Sequence, residues 1–195
     1  RRGQFLPDRA PGRTHPSAAA CTSCQPWPHL PRGVATTAGI QAGEGKLYLC
    51  AVKDVFSNRI IGYSIDSRMK SRLAVTAVNN AVARRGDVSG CVIHTDRGSQ
   101  FRSRRFVGAL NRHRMVGSMG RVGAAADNAA MESFFSLLQR NVLDRQRWDT
   151  REQLRIAIVT WIERTYHRRR RQARLGRLTP IEFETIMAPA ARQAA

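Results

Sequence analysis

The chain has 195 residues, enough for one domain with a sizeable core plus appendages but a squeeze for two. Its 33 Lys and Arg against 14 Asp and Glu leave a formal net charge of +19, carried almost wholly by arginine, so a polyanion is the expected partner. No run of about 18 apolar residues exists to cross a membrane, and the N-terminus lacks the continuous apolar stretch of a signal peptide; a cytoplasmic, intracellular protein is expected.

Residues 1–43 are rich in Pro, Arg, Ala, Thr and Gly, show no sustained apolar alternation, and are expected to be irregular. Cys21 and Cys24 form a CxxC between His15 and His29, a set that could bind zinc, but the surrounding text offers no periodic framework to fix four ligands. From Lys46 onward order sets in. KLYLCAVK (46–53) and RIIGYSI (59–65) flank a turn-like DVFSN and read as an antiparallel hairpin. Apolar residues at 73, 74, 77, 78, 81 and 82 predict an amphipathic helix over 71–86, with Ser71 as N-cap and Gly86 as the stop. GCVIHT (90–95) is a short buried strand ending at Asp96. A helix over 103–113, a strand over 114–119 and a flexible loop over 120–127 follow. Asp127 or Asn128 can cap a helix reaching about Asp144, with Met131, Phe134, Phe135, Leu138 and Val142 facing inward. Residues 151–167 make a last helix. Cys50 and Cys91, set in apolar runs, read as small core residues of a reducing compartment. Strands alternating with helices after a hairpin indicate an α/β domain with a mixed sheet.

In such sheets chemistry gathers at strand ends, where side chains leave the core but stay rigidly aimed. Asp96 is at such an end, and Gly98 in the following turn lets something large come close. One carboxylate holds a divalent ion poorly, so a second acid is needed. Glu132 is the candidate, one turn into a helix whose inward stripe is otherwise apolar. Taken singly, Asp96 reads as well as a turn cap, and Glu132 as a residue favoured by the helix N-terminus.

Taken together, HTDRGSQF, a gap of 35 residues, DNAAMESFFSLL and LGRLTPIEFE resemble the integrase core of insertion-sequence transposases of the group called IS three, relatives of retroviral integrases. The resemblance runs from about Gly45 to Glu184. It implies a ribonuclease-H-like α/β fold with a mixed sheet flanked by helices, an integrase core over 44–170, and a basic tail over 171–195. It further implies DNA strand transfer in which two Asp and one Glu hold two Mg²⁺ (or Mn²⁺) ions. Asp96 matches the second acid and Glu132 the third. Asp54 belongs to the family pattern without being catalytic and should point elsewhere.

By the same comparison Gly98, Ser99 and Gln100 match the turn lining the DNA side of the site, and Asn128 matches an Asn at the start of the Glu-bearing helix. Relatives often carry a basic residue seven positions after the Glu, where this chain has Gln139 with Arg140 beside it. Arg102, Arg104 and Arg105, together with Arg168, Arg169, Arg170 and Arg171, suit phosphate contacts, although the last four read also as a plain solvated run. The expected partners are insertion-sequence ends and target DNA, with a homo-oligomer assembled on the DNA, associated with a bacterial nucleoid. One piece is missing. Relatives place their first metal-binding Asp in an Asp-Ile-Thr segment ahead of the GKLYLC run, where this chain reads GVATTAGIQAGEGK with Thr36 or a neighbour in the place. An impaired transposase is therefore expected, its first 43 residues read out of frame and badly packed, or else a DNA-binding remnant without activity.

Overall fold

A computed structural model describes residues 32–119 and 129–193. The core is one five-stranded sheet in the order β3-β2-β1-β4-β5, with β1 Arg32–Ala42, β2 Gly45–Asp54, β3 Ile60–Asp66, β4 Val92–Thr95 and β5 Val116–Met119. The first three strands form an antiparallel meander, whereas β4 and β5 run parallel to β1. Five α-helices accompany them: α1 Ser71–Arg85, α2 Arg104–Arg112, α3 Ala129–Asn141, α4 Arg151–Thr160 and α5 Pro180–Gln193.

The sheet separates two apolar layers. On one face Leu73, Ala74, Ala77 and Val78 of α1 and Phe106 and Leu110 of α2 pack on Ala35, Cys50, Val52 and Ile93. On the other, Met131, Phe134 and Leu138 of α3, with Leu154 and Ile158 of α4, cover Val34, Leu47, Leu49 and Ala51. Alternate residues of β2 face opposite layers, which is the two-residue period of a strand buried on both sides. α1 comes so close to β3 that a Cβ at Gly62 would collide with the Ala77 carbonyl and the Ala81 amide. Only glycine fits there.

Three expectations need correction. The stretch 1–43 was expected to be irregular, yet residues 32–42 form β1, the central strand. Its small Thr, Ala and Gly residues hide the alternation in the text, and pairing along both edges supplies the order that side chains do not advertise. The cap of α1 is Lys70 in an extended conformation with no side-chain cap bond, and Ser71 is already helical. The helix expected over 151–167 changes pitch at Trp161–Tyr166, which wind as a π-helix. The buried pairs Trp161/Ile162 and Tyr166/His167 lie five residues apart, and the His167 amide bonds the Ile162 carbonyl at 3.0 Å; the wider turn turns both pairs inward. The Cys21 and Cys24 pair with His15 and His29, and the caps Asp127 and Asn128, lie outside the described residues. Cys50 and Cys91 are buried free thiols, as expected.

The expected basic tail over 171–195 contains a structural clasp. In α5, Glu184 is buried against Arg85 of α1 and Arg59, and it accepts the Ser57 hydroxyl at 2.7 Å. Asp54 completes the group, accepting from Arg85 at 2.7 Å and from the Phe56 amide at 2.8 Å. Burial alone would raise the Glu184 carboxyl, but the Arg85, Ser57 and Arg59 partners outweigh it and hold its pKa below the usual value. A lowered folded-state pKa stabilises above the unfolded value of 4.5 and is lost as pH falls through the folded one. We expect Glu184→Gln to be less stable than the parent by about 3 kcal/mol at pH 7, from the unpaired arginines left behind. The gap should narrow in denaturant melts as pH drops below 4.5.

Candidate active site

Asp96 is the first residue past β4, and its neighbour is set by register. Ala35 of β1 pairs with Thr95 of β4, so one step further places Thr36 beside Asp96. The Thr36 hydroxyl lies 3.5 Å from Asp96 Oδ2, while Oδ1 accepts the Gly98 amide at 2.7 Å. A Cβ on Gly98 would stand 2.7 Å from that same Oδ1 and collide with the Gln100 side chain, which explains the glycine. Gln100 is buried and donates from Nε2 to the Thr37 hydroxyl at 2.7 Å. Ser103 then caps α2 by accepting from the Phe106 amide at 3.2 Å and ties back to the Gln100 carbonyl at 2.8 Å. The turn from Asp96 to α2 is thus pinned to β1 at one end and to a helix cap at the other. Ser99 is exposed within it, and Arg102, Arg104 and Arg105 project into solvent just beyond.

Glu132 occupies the exposed side of the first turn of α3, with Met131 and Phe134 fully buried on either side of it. Those two anchors seat α3 over β1, the strand that carries Thr36. Lys53, which the sequence reading passed over, reaches the same turn. It is 4% exposed and its Nζ donates to the Ala130 carbonyl at 2.9 Å. Burial, aided by the Arg174 charge, brings the ammonium down to about 8. The signal was visible in the text as a lysine closing an otherwise apolar strand. Asp54, one residue on, points into the Arg85 and Glu184 cluster and away from Asp96, as expected.

The predicted residues therefore fall into groups. Asp96, Gly98 and Gln100 are joined with Thr36 and Thr37 in one hydrogen-bonded unit, and Glu132 stands on the helix packed over the same strand. Arg140 is exposed in the last turn of α3, and Asn128 lies outside the described residues. Arg168, Arg169, Arg170 and Arg171 are exposed after the π-turn, with Arg171 3.5 Å from Glu182. Among the described residues no group of three or more His, Cys, Asp or Glu gathers as a metal site.

Two models described as integrase core domain match residues 35–125 and 113–180. The chain belongs to the integrase core family. It is 38% identical over 145 residues to the transposase InsF for insertion sequence IS3A of Escherichia coli strain K12. It is 36% identical to the transposase for insertion sequence element IS904 of Lactococcus lactis. These alignments cover 74% of this chain and 50% and 57% of the two transposases, so the chain spans about half the length of the curated relatives it matches. The fold is that of the HTLV-2 integrase catalytic core domain, solved in complex with magnesium. One trimeric form superposes with a TM-score of 0.59 at 17% identity, over 78% of this chain and 94% of that one. A simian T-cell lymphotropic virus intasome gives 0.55 at 18%, over 69% and 49%. The ribonuclease-H-like architecture expected from the sequence is therefore present, with an integrase core that begins inside β1.

A lysine whose folded-state pKa is lowered makes stability rise with pH between that value and the unfolded one. For Lys53 that window runs from about 8 to the ordinary 10.5. Lys53→Met should remove that rise, worth up to about 3 kcal/mol, when unfolding free energies of the two proteins are compared across the window.

Proposed function

We propose that this chain acts on DNA as the core of an insertion-sequence transposase, and that its strand transfer is impaired because Thr36 stands where the family's first aspartate belongs. The observation that carries this reading is the 3.5 Å approach of the Thr36 hydroxyl to Asp96 Oδ2. In the family two Asp and a Glu hold two divalent ions. Here the oxygen donors are the Asp96 and Glu132 carboxylates and a neutral hydroxyl. This set does not fit a two-ion centre, since Thr36 brings no charge to share between the ions. Asp96 and Glu132 still suit Mg²⁺ or Mn²⁺, bound weakly.

The remaining residues can hold DNA whether or not it is cut. The Asp96–Gln100 turn, with Gly98 and Ser99, offers a rigid rim. Arg102, Arg104, Arg105 and Arg140 supply phosphate contacts at its margin, and Arg168, Arg169, Arg170 and Arg171 extend them. The HTLV-2 core was solved in dimeric and trimeric forms, and we take assembly of this chain into a homo-oligomer on DNA as part of the proposal. A purely DNA-binding remnant is the second reading, favoured by the same Thr36 and by the net charge of +19.

The decisive experiment compares the chain as given with Thr36→Asp. Calorimetric titration with Mn²⁺ should give at least about tenfold tighter binding to the variant, because a charged ligand joins the pair. In a strand-transfer assay on a DNA end, joining should rise by about two orders of magnitude or more in the variant. Robust metal-dependent joining by the Thr36 protein would sink the proposal. For the basic block, replacing Arg168 to Arg171 by Ala should weaken duplex binding and flatten the salt slope by up to about 3 to 4, at roughly 0.9 per lost phosphate contact. An unchanged slope would remove the block from the DNA interface.

A further inference from the structure

A concave site opens toward the same end of the strands as Asp96. β2 is antiparallel to both β1 and β3, and β4 is parallel to β1, so β1, β3 and β4 all run toward the same end of the sheet. There the connection from β3 to α1 and the first turn of α2 enclose a pocket lined by Asp66, Arg68, Lys70, Ser71, Arg72 and Arg105. Its charges do not cancel. Arg72 donates to Asp66 Oδ2 at 2.7 Å, and this bond, the largest cause, holds the Asp66 carboxyl below its usual pKa, so that pair is internally neutral. Arg68, Lys70 and Arg105 remain, exposed and without an ion pair among the described residues.

Three cations around one concavity repel each other unless an anion joins them. The guanidinium groups present forks that match phosphate oxygens, the ammonium adds a point charge, and the Ser71 hydroxyl is a further donor. The chain path indicates which phosphate. Arg105 lies one residue into α2, directly after the turn that starts at Asp96 and is pinned by Ser103. A duplex lying on Arg102 and Arg104 is thereby led toward Arg105 and the pocket. We infer that the Arg68, Lys70, Ser71 and Arg105 pocket binds a backbone phosphate of duplex DNA extending past the Asp96 turn. This rests on the reading of the chain as a DNA-acting protein, and it adds a contact contributed by the β3–α1 connection, which no motif in the sequence marks.

The test is fluorescence anisotropy of the full chain on a labelled duplex, run in a chelator so that the outcome is independent of strand transfer. R68A/K70A/R105A should bind about tenfold more weakly at about 0.1 M salt, with the salt slope reduced by about 1, as for one lost phosphate. R112A/R114A/R147A loses the same charge from exposed positions outside the pocket and should stay within about threefold of the parent. Unaltered binding by the first triple, or equal losses in both, would overturn the pocket. Thermal unfolding checks that each triple is folded. As a variant of opposite sign, Asp66→Asn removes the pocket's one anion and should tighten binding severalfold; no change there would also count against the proposal. Failure of the Thr36→Asp experiment would leave these results standing, because neither metal nor turnover enters them.

Discussion

β1 is hydrogen-bonded along both edges, to β2 through ten residue pairs from Gly33–Asp54 to Ala42–Gly45, and to β4 through Arg32–Val92 to Ala35–Thr95. Without it the molecule would divide into the β2–β3 hairpin and the β4–β5 pair, neither of which is stable alone in water. The double pairing also fixes everything at the candidate site. It sets Thr36 beside Asp96, brings Thr37 within reach of Gln100, and offers Val34 as part of the floor on which α3 rests. A one-residue slip of β1 would exchange its two faces, moving Thr36 away from Asp96 and placing Val34 in the wrong apolar layer.

Around this strand the charged groups divide by depth. The buried carboxylates and histidine are paired: Glu184 and Asp54 with Arg85, Arg59 and Ser57, and His167 between the Ile60 amide at 3.1 Å and Glu163 at 3.1 Å. Burial pushes the His167 pKa down to about 4, so at pH 7 it is a neutral acceptor for the edge of β3 and brings no positive charge to a phosphate despite its place beside the arginine block. These contacts join α5, the π-turn and the β2–β3 loop into one clasp on the side of the sheet away from the Asp96 turn. Their geometry specifies how the last elements dock, a role for which directional polar contacts are better suited than apolar ones. The exposed charges, by contrast, are mostly arginine and follow the surface. They give the surface its excess of positive charge without being needed for the fold.

The candidate site is organised around one carboxylate held by neutral donors. Thr36 is uncharged; its hydroxyl meets one Asp96 carboxylate oxygen, and the Gly98 amide holds the other. Neither the sheet nor the turn depends on a carboxylate at position 36. Lys53 adds a feature of this chain's own, a buried ammonium that tethers the first turn of the helix bearing Glu132.

The sequence by itself determined the elements with strong periodicity and the residues with specific spacing. β2 and β3 were legible because their side chains are large and apolar, α1 because Leu73, Ala74, Ala77, Val78 and Ala81 recur on one face, and Asp96 and Glu132 because their motifs stand out from the text around them. Tertiary structure decided what depends on partners. GVATTAGI carries no alternation of its own, so only pairing with strands from elsewhere in the chain makes it the central strand. The contact of Thr36 with Asp96 spans 60 positions, that of Ser57 with Glu184 spans 127, and that of Lys53 with Ala130 spans 77. No local pattern encodes such distances, because they are set by the order and register of strands, which the whole apolar core selects at once.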